Sequence, residues 1–334
     1  MKYRVAAAAV LAAAALLSGC KGKEKPDPIV YTDISSNGKI AVTAHDTSKS
    51  IQIWNLETEK RIRTIKRLRG TPRWAFISPD GKTAASISSP ARRKLEFNRS
   101  WTRFVEFPVH LDQYDAIQIW DVATGELIQT LKEKGDVDYA GAVFSPDGKR
   151  VASVEFLGAS KLWNVQTGEM ILHLSLRTPA YAFSPDGRLL AGSEKDAIQL
   201  WNGQTGEKIA KIDTKLPMGV VLFSPNGKTL AHVGINQPIH LWDVETRAAL
   251  HTLENPANYI FYEVVFSPDG TRCAAVAVKD HKNLLALVWD VETGKIVKTL
   301  PRSDRILSVA FTEDGSEIVG MSAELLIQRW DLKE

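Results

Sequence analysis

The sequence predicts an all-β fold made of seven similar four-stranded antiparallel units, and three recurring features carry this prediction. A Trp-Asp or Trp-Asn pair recurs after an alternating apolar pattern, first at Ile51–Trp54. A Ser-Pro-Asp-Gly sequence or a variant of it falls between consecutive pairs, as at Ser78–Gly81. A Thr-Gly turn, such as Thr124–Gly125, follows most of the tryptophans. Because alternation with a period of two is typical of a strand, each tryptophan marks one strand of a repeated unit.

The two main features alternate along the chain and define four strands per unit. Proline presets φ, Asp or Asn tolerates the next position and glycine supplies a left-handed residue, which is hairpin chemistry. Strand a therefore precedes this turn, strand b follows it, strand c ends at tryptophan and strand d follows the Thr-Gly turn. The turns begin at Ser35, Ser78, Ser145, Ser184, Ser224, Ser267 and Thr312. The pairs begin at Trp54, Trp120, Trp163, Trp201, Trp242, Trp289 and Trp330.

The first residues predict an export signal. Lys2 and Arg4 precede the unbroken apolar run Val5–Leu17, which is typical of a signal peptide. This run is shorter than the roughly 20 residues of a membrane span. The segment Leu17–Cys20 resembles the bacterial lipobox, and this resemblance implies cleavage before Cys20 and lipidation of Cys20. The alternative is an ordinary secretory signal that is cut elsewhere, with Cys20 incidental.

The chain therefore divides into a signal peptide (1–19), a lipidated Cys20 with a polar tether (20–28) and a repeat domain (29–334). The formal net charge of the chain is +3, and losing Lys2 and Arg4 reduces it to +1. This near balance argues against a polyanion-coating protein. Two cysteines exclude a disulfide scaffold and a four-thiolate zinc site. Cys273 lies in an apolar run and is expected in the core.

Units of about 45 residues with these two turns in phase are similar to WD repeats. The chain resembles the WD-repeat β-propeller family over nearly all of its mature length. The resemblance implies a seven-bladed β-propeller of four-stranded antiparallel blades, in which neighbouring blades bury each other's faces. We expect an inter-blade core from the blade tryptophans together with Phe76, Phe144, Phe183, Phe223, Phe266 and Phe311.

The sequence departs from the family in two respects. No Gly-His pair marks the entry to each blade, and no reliable Ser-His-Asp-Trp hydrogen-bond set is present, so packing and turns are expected to make the blades rigid. Strand a begins near Ile29, and the chain stops just after Trp330. We therefore expect a last blade of three strands. The alternative is a fourth strand from residues 22–28, despite Pro26 and Pro28.

One repeat carries an insertion, at about residues 90–115 between strands b and c of blade 2. Arginine pairs and stacks while aromatic rings give rigid contact area, so this composition suits partner recognition. Lys66, Arg67, Arg69 and Arg73 add charge nearby. In a second interpretation the aromatic residues fold back to cap a blade. The candidate partner-binding residues are Arg92, Arg93, Lys94, Phe97, Arg99, Trp101, Arg103 and Phe104.

No catalytic motif is present, so the protein is predicted to be no enzyme and to have no cofactor and no metal site. His110, Asp112 and Asp115 have a spacing too generic for a metal site. The pairs His45–Asp46 and Asp280–His281 are expected to be turn residues.

Three functions are compatible with these features. The first is a membrane-anchored scaffold on the extracytoplasmic side of the bacterial envelope, monomeric, held by its lipid and binding a protein partner through propeller loops. The second is a binder of a small ligand or glycan at the channel mouth. The third, a propeller hydrolase, is disfavoured by small and apolar residues in strands a, such as Ala140–Val143. Nucleic acid is not an expected partner of an exported protein. Lys21 after Cys20 favours the outer membrane where the organism has one.

Overall fold

A computed structural model describes the repeat domain with internal gaps. The segment 1–28, with the predicted signal, Cys20 and tether, lies outside the described residues. No helix among the residues described is long and apolar enough to cross a membrane. The described residues are 29–35, 39–56, 58, 60–68, 70–89, 116–132, 139–155, 160–174, 181–234, 237–255, 259–279, 283–300, 306–312, 314–322 and 327–332.

The described residues form 27 strands and no helix, which confirms the all-β prediction. In chain order the strands are β1 (Ile29–Ile34), β2 (Ile40–His45), β3 (Ser50–Asn55), β4 (Lys60–Ile65), β5 (Thr71–Ile77), β6 (Thr83–Ser89), β7 (Ala116–Asp121), β8 (Leu127–Leu131), β9 (Tyr139–Phe144), β10 (Arg150–Glu155), β11 (Lys161–Asn164), β12 (Met170–His173), β13 (Tyr181–Phe183), β14 (Leu189–Glu194), β15 (Ala197–Asn202), β16 (Lys208–Asp213), β17 (Gly219–Phe223), β18 (Thr229–Gly234), β19 (Ile239–Asp243), β20 (Ala249–Thr252), β21 (Ile260–Phe266), β22 (Arg272–Lys279), β23 (Asn283–Asp290), β24 (Ile296–Leu300), β25 (Ile306–Phe311), β26 (Glu317–Ser322) and β27 (Ile327–Asp331).

These strands pair in chain order into separate antiparallel sheets. Sheets 1 to 6 are four-stranded and contain β1–β4, β5–β8, β9–β12, β13–β16, β17–β20 and β21–β24. Sheet 7, in the part of the chain that the structure describes, contains the three strands β25–β27. The predicted repeat of four antiparallel strands is therefore confirmed in six sheets, and the described part of the last sheet has the expected three.

The Ser-Pro-Asp-Gly sequences form the turns between strands a and b. At the first full copy, the backbone N–H of Gly81 donates to Ser78 O (2.9 Å), and Ser78 Oγ donates to Asp80 Oδ1 (2.7 Å). Gly81 has a φ of 75°, which only glycine adopts readily. Asp80 Oδ1 also accepts the N–H of Lys82 (3.0 Å). The side chains of the turn thus satisfy its own backbone, and this repeats at the other copies.

The aspartate of the Trp-Asp pair has a local role in the turn between strands c and d of sheets 2, 5 and 6. Asp121 Oδ1 accepts the backbone N–H of Thr124 (2.7 Å), and the Gly125 N–H donates to Asp121 O (2.8 Å). The Thr124 N–H bond holds the pKa of the Asp121 carboxyl below its usual range.

Because neighbouring strands are antiparallel, the a–b and c–d turns lie at one end of each sheet, called here the turn end. The b–c and d–a connections share the opposite end, called here the loop end.

Each sheet packs its tryptophan face on the sheet before it. Trp120 of sheet 2, for example, is buried with Val42, Ile51 and Ile53 of sheet 1. The predicted inter-blade aromatic core is confirmed, except that Phe183, Trp54 and Trp330 are half-buried.

In sheets 1 to 3 a hydrogen bond adds to the packing and turns that were expected to make the sheets rigid. In each, the tryptophan indole N–H donates to a hydroxyl at the fourth residue of strand b. The pairs are Trp54 with Thr43 (3.1 Å), Trp120 with Ser86 (2.9 Å) and Trp163 with Ser153 (2.9 Å).

Some side chains on the outward faces of the first and last sheets are also buried. On sheet 1, Thr43 and Ser50 lie on the face opposite the one that packs on sheet 2, and both are 0% exposed. On sheet 7, Ala310 and Val319 lie on the face opposite sheet 6 and are 0% and 2% exposed. Thr43 is covered in part by Trp54 and His45 of its own sheet, whereas Arg329, on the same face as Val319, is 56% exposed. These two faces are therefore covered only in part.

Candidate functional site

The predicted partner-binding residues belong to a connection at the loop end of sheet 2. Arg92, Arg93, Lys94, Phe97, Arg99, Trp101, Arg103 and Phe104 lie outside the described residues. The strands on either side are described: β6 ends at Ser89, β7 begins at Ala116, and Ser88 pairs with Ala116. The connection thus leaves and re-enters the sheet at adjacent points. It spans residues 90–115, whereas the b–c connection of sheet 4 spans only 195–196.

An arginine and a tryptophan lie on β5, the first strand of the same sheet. The Arg73 guanidinium carbon is 5.9 Å from the ring centroid of Trp74, within cation–π range. Both side chains are half-buried near the start of β5, where the chain enters from the loop end. The sequence pointed to Arg73 by its charge, but Trp74 was missed because it belongs to no Trp-Asp pair.

A buried ion pair lies at the loop end of sheet 3. Lys161 Nζ contacts Glu155 Oε1, and the side chains are 2% and 9% exposed. Lys161 begins strand c and Glu155 ends strand b, so the pair closes the b–c connection between them. Removing one member of such a pair leaves an uncompensated buried charge. No sequence pattern indicated this pair, because a lysine beside a loop is usually solvated.

A serine and a histidine connect sheets 4 and 5. Ser193 Oγ and His232 Nε2 are 2.9 Å apart, and the Gly219 N–H donates to Ser193 Oγ (3.0 Å). Burial, with a smaller contribution from His240, lowers the pKa of His232 to about 4. A serine beside a histidine is also the arrangement in which a catalytic serine is activated as a nucleophile. Here both side chains are 0% exposed, so a substrate could not reach Ser193 Oγ, and the contact joins the two sheets.

The other histidines and acids single out no metal centre. Within the described ranges, no group of three or more His, Cys, Asp or Glu side chains could hold a metal ion. The expectation that His45 is a turn residue is wrong: it ends β2, is buried, and its Nε2 lies 2.8 Å from Thr43 Oγ1. Its partner Asp46 is in the turn as expected. His110, Asp112, Asp115, Asp280 and His281 lie outside the described residues.

Cys20, the predicted lipidation site, also lies outside the described residues. Cys273 is fully buried in sheet 6, where burial raises the pKa of its thiol far above the usual range. The prediction that Cys273 is a core residue is confirmed.

Comparison with known proteins gives a limited similarity. No family model matches the chain. An alignment of 150 residues, covering 36% of this chain, is 28% identical to apoptotic protease-activating factor 1 from Homo sapiens, a protein that contains WD repeats. The alignment spans only 12% of that relative. This similarity and the repeated antiparallel sheets both fit a β-propeller of WD-repeat type.

Proposed function

We propose that the protein is a lipid-anchored, non-catalytic interaction scaffold on the extracytoplasmic side of the bacterial envelope. Its seven sheets are the blades of one closed propeller, and it binds a protein partner through the connection at residues 90–115. The observation that carries the binding proposal is the position of this long basic and aromatic connection, between adjacent strands at the loop end of sheet 2.

The burial of four side chains on the outer faces of sheets 1 and 7 supports ring closure. In an open row of seven sheets, one face at each end would meet water. Thr43 and Ser50 at one end, and Ala310 and Val319 at the other, are instead almost fully buried. Closure also leaves the sheets with short protected edges, which is how propellers avoid edge-to-edge pairing.

The composition of the 90–115 connection supports recognition of a protein. Five cationic side chains alternate there with phenylalanines and a tryptophan. Arginine and tryptophan are the residues that most often dominate the binding energy of protein interfaces. Arg73 and Trp74 add a second arginine–tryptophan pair on the first strand of the same sheet.

The anchor is tested by replacing Cys20. Cys20→Ala should move the protein from the membrane fraction to the soluble fraction of the cell envelope. Cys273→Ala is the matched control, because it removes the other cysteine and should leave the protein in the membrane. A Cys20→Ala protein that still sediments with membranes refutes the lipid anchor.

The binding site is tested by crosslinking in intact membranes and then by titration of the identified partner with purified protein. The triple variant Arg92→Ala, Arg93→Ala and Trp101→Ala should lose the crosslink and weaken binding at least thirty-fold, since each hot-spot side chain contributes about 2 kcal/mol or more. Lys195→Ala with Lys215→Ala removes exposed cations at the loop end of sheets 4 and 5 and should leave binding unchanged. Equal affinity of the triple variant and the native protein excludes the 90–115 connection as the site.

A further inference from the structure

The positive charge of the sequence is concentrated in residues 29–70, which contain the strands of sheet 1. Residues 29–70 contain eight Lys or Arg and four Asp or Glu, an excess of four positive charges in a chain whose net charge is +3. Three of the eight cations are on the outer strand β4, and two more follow it directly. By contrast, the outer strands β8, β12 and β20 carry no Lys or Arg. Lys60, Arg61, Lys66 and Arg67 are called here the basic edge.

The basic edge is exposed, and among the described residues no Asp or Glu neutralises it. All four side chains are exposed, and none forms an ion pair with an Asp or Glu that the structure describes. Arg61 is held by Gln52 Oε1 (3.4 Å) and lies 5.9 Å from the Trp54 ring centroid. On sheet 4, by comparison, Lys211 is paired with Asp213 at 3.2 Å. The edge is therefore available to an anionic partner.

The proposed anchor brings a membrane within reach of this sheet in particular. Cys20 is nine residues before Ile29, where β1 begins, so the tether reaches about 30 Å when extended. β1 and β4 are the two edge strands of sheet 1, and they are three strand spacings, or about 14 Å, apart. The tether is therefore longer than the width of sheet 1, so β4 can contact the lipid surface while Cys20 is anchored in it.

We infer that the basic edge binds anionic lipid headgroups and orients the tethered propeller so that sheet 1 faces the membrane. This inference rests on the lipid anchor of the proposed function. Each exposed cation near an anionic lipid surface is attracted strongly enough to raise the population in which it contacts the lipid roughly five-fold. The lipid holds the protein at the membrane, and the basic edge selects which side faces it. In this orientation the loop end is at the side of the tethered body, where a protein partner can reach the 90–115 connection.

Lysine acetylation of the full lipidated protein in vesicles tests the inference. We expect Lys60 and Lys66 to react roughly five-fold more slowly in vesicles containing anionic lipid than in zwitterionic vesicles. Lys208, exposed on the outer strand of sheet 4, should react equally in both. The protection should fade in high salt, because the Debye length falls from about 10 Å at 0.1 M to about 3 Å at 1 M.

Charge variants separate a local contact from an effect of net charge. Arg61→Gln with Arg67→Gln should reduce the protection of Lys60 and Lys66. Arg188→Gln with Lys228→Gln removes the same charge at the turn end of sheets 4 and 5 and should leave the protection unchanged.

The outcomes distinguish this inference from the proposed anchor. Protein that does not remain with the vesicles refutes the anchor. Vesicle-bound protein whose Lys60 and Lys66 react equally in both lipids overturns the basic edge as a lipid contact. Protection that occurs only in native envelopes, and not in anionic vesicles, also overturns it and assigns the edge to an acidic protein.

Discussion

The indole N–H of Trp163 is buried and donates to Ser153 Oγ at 2.9 Å. Ser153→Ala would leave this donor without its acceptor inside the interface of sheets 2 and 3. We expect a loss of about 1–3 kcal/mol in the free energy of unfolding, measured by chemical denaturation. Ser153→Thr is the matched control, since Thr43 accepts the same bond from Trp54 in sheet 1. Equal stabilities of the Ala and Thr variants would show that the hydrogen bond contributes nothing.

His232 makes the contact between sheets 4 and 5 sensitive to acid. Its pKa is lowered from 6.5 to about 4 in the folded protein, mainly by burial. Between these two values the unfolded chain binds the proton and the folded protein does not, so stability falls as pH falls from about 6.5 to 4. The slope from this group approaches roughly 1.4 kcal/mol per pH unit. Denaturation of native protein and His232→Gln across this range should show a steeper loss for the native protein, and parallel curves would contradict the assignment.

Buried polar residues were the hardest to predict from sequence. Alternating apolar residues and turn residues act locally, so the strands and both turns followed from the sequence. Glu155 and Lys161 are ordinary loop-flanking charges in the sequence, but in the fold they are paired and almost fully buried. His45 has the polarity of a turn residue but ends β2 and is buried. In each case the sequence pattern does not show that the folded chain covers the side chain.

At the scale of strands, the start of β17 depends on the absence of a side chain. A Cβ added to Gly219 would lie 2.1 Å from Val233 O, an atom of the paired strand that cannot rotate away. Gly219→Ala should therefore displace β17 from β18, break the Gly219 N–H bond to Ser193, and lower the melting temperature by several degrees. Gly141→Ala on β9 is the control, because a Cβ there meets nothing within 4 Å. A Gly219→Ala protein as stable as Gly141→Ala would contradict this packing.

Strand order within a sheet followed from the sequence, whereas the hydrogen bonds between sheets did not. Strands a and b, like strands c and d, are joined by short turns and must pair with their neighbours in the chain. Contacts such as Arg150 Nε to Gln204 O (3.1 Å) join sheet 3 to a turn of sheet 4. A polar side chain at the start of a strand carries no sequence pattern that identifies its partner 54 residues away. The 90–115 connection remains a prediction from composition, because its residues are outside those that the structure describes.

For the whole molecule, closure of the ring predicts that sheets 1 and 7 respond to each other. Ala310 is 0% exposed on the outward face of sheet 7, so a larger side chain there must displace whatever covers it. Ala310→Phe should cost about 1–3 kcal/mol through overpacking. Because sheet 1 is the proposed cover, hydrogen exchange should accelerate in β2 and β3 as well as in β25 and β26. Val297 on β24 is 53% exposed, so Val297→Phe should change neither the free energy of unfolding nor the hydrogen exchange of these strands. Faster exchange confined to sheet 7 would mean that sheet 1 is not its neighbour and that the ring is open.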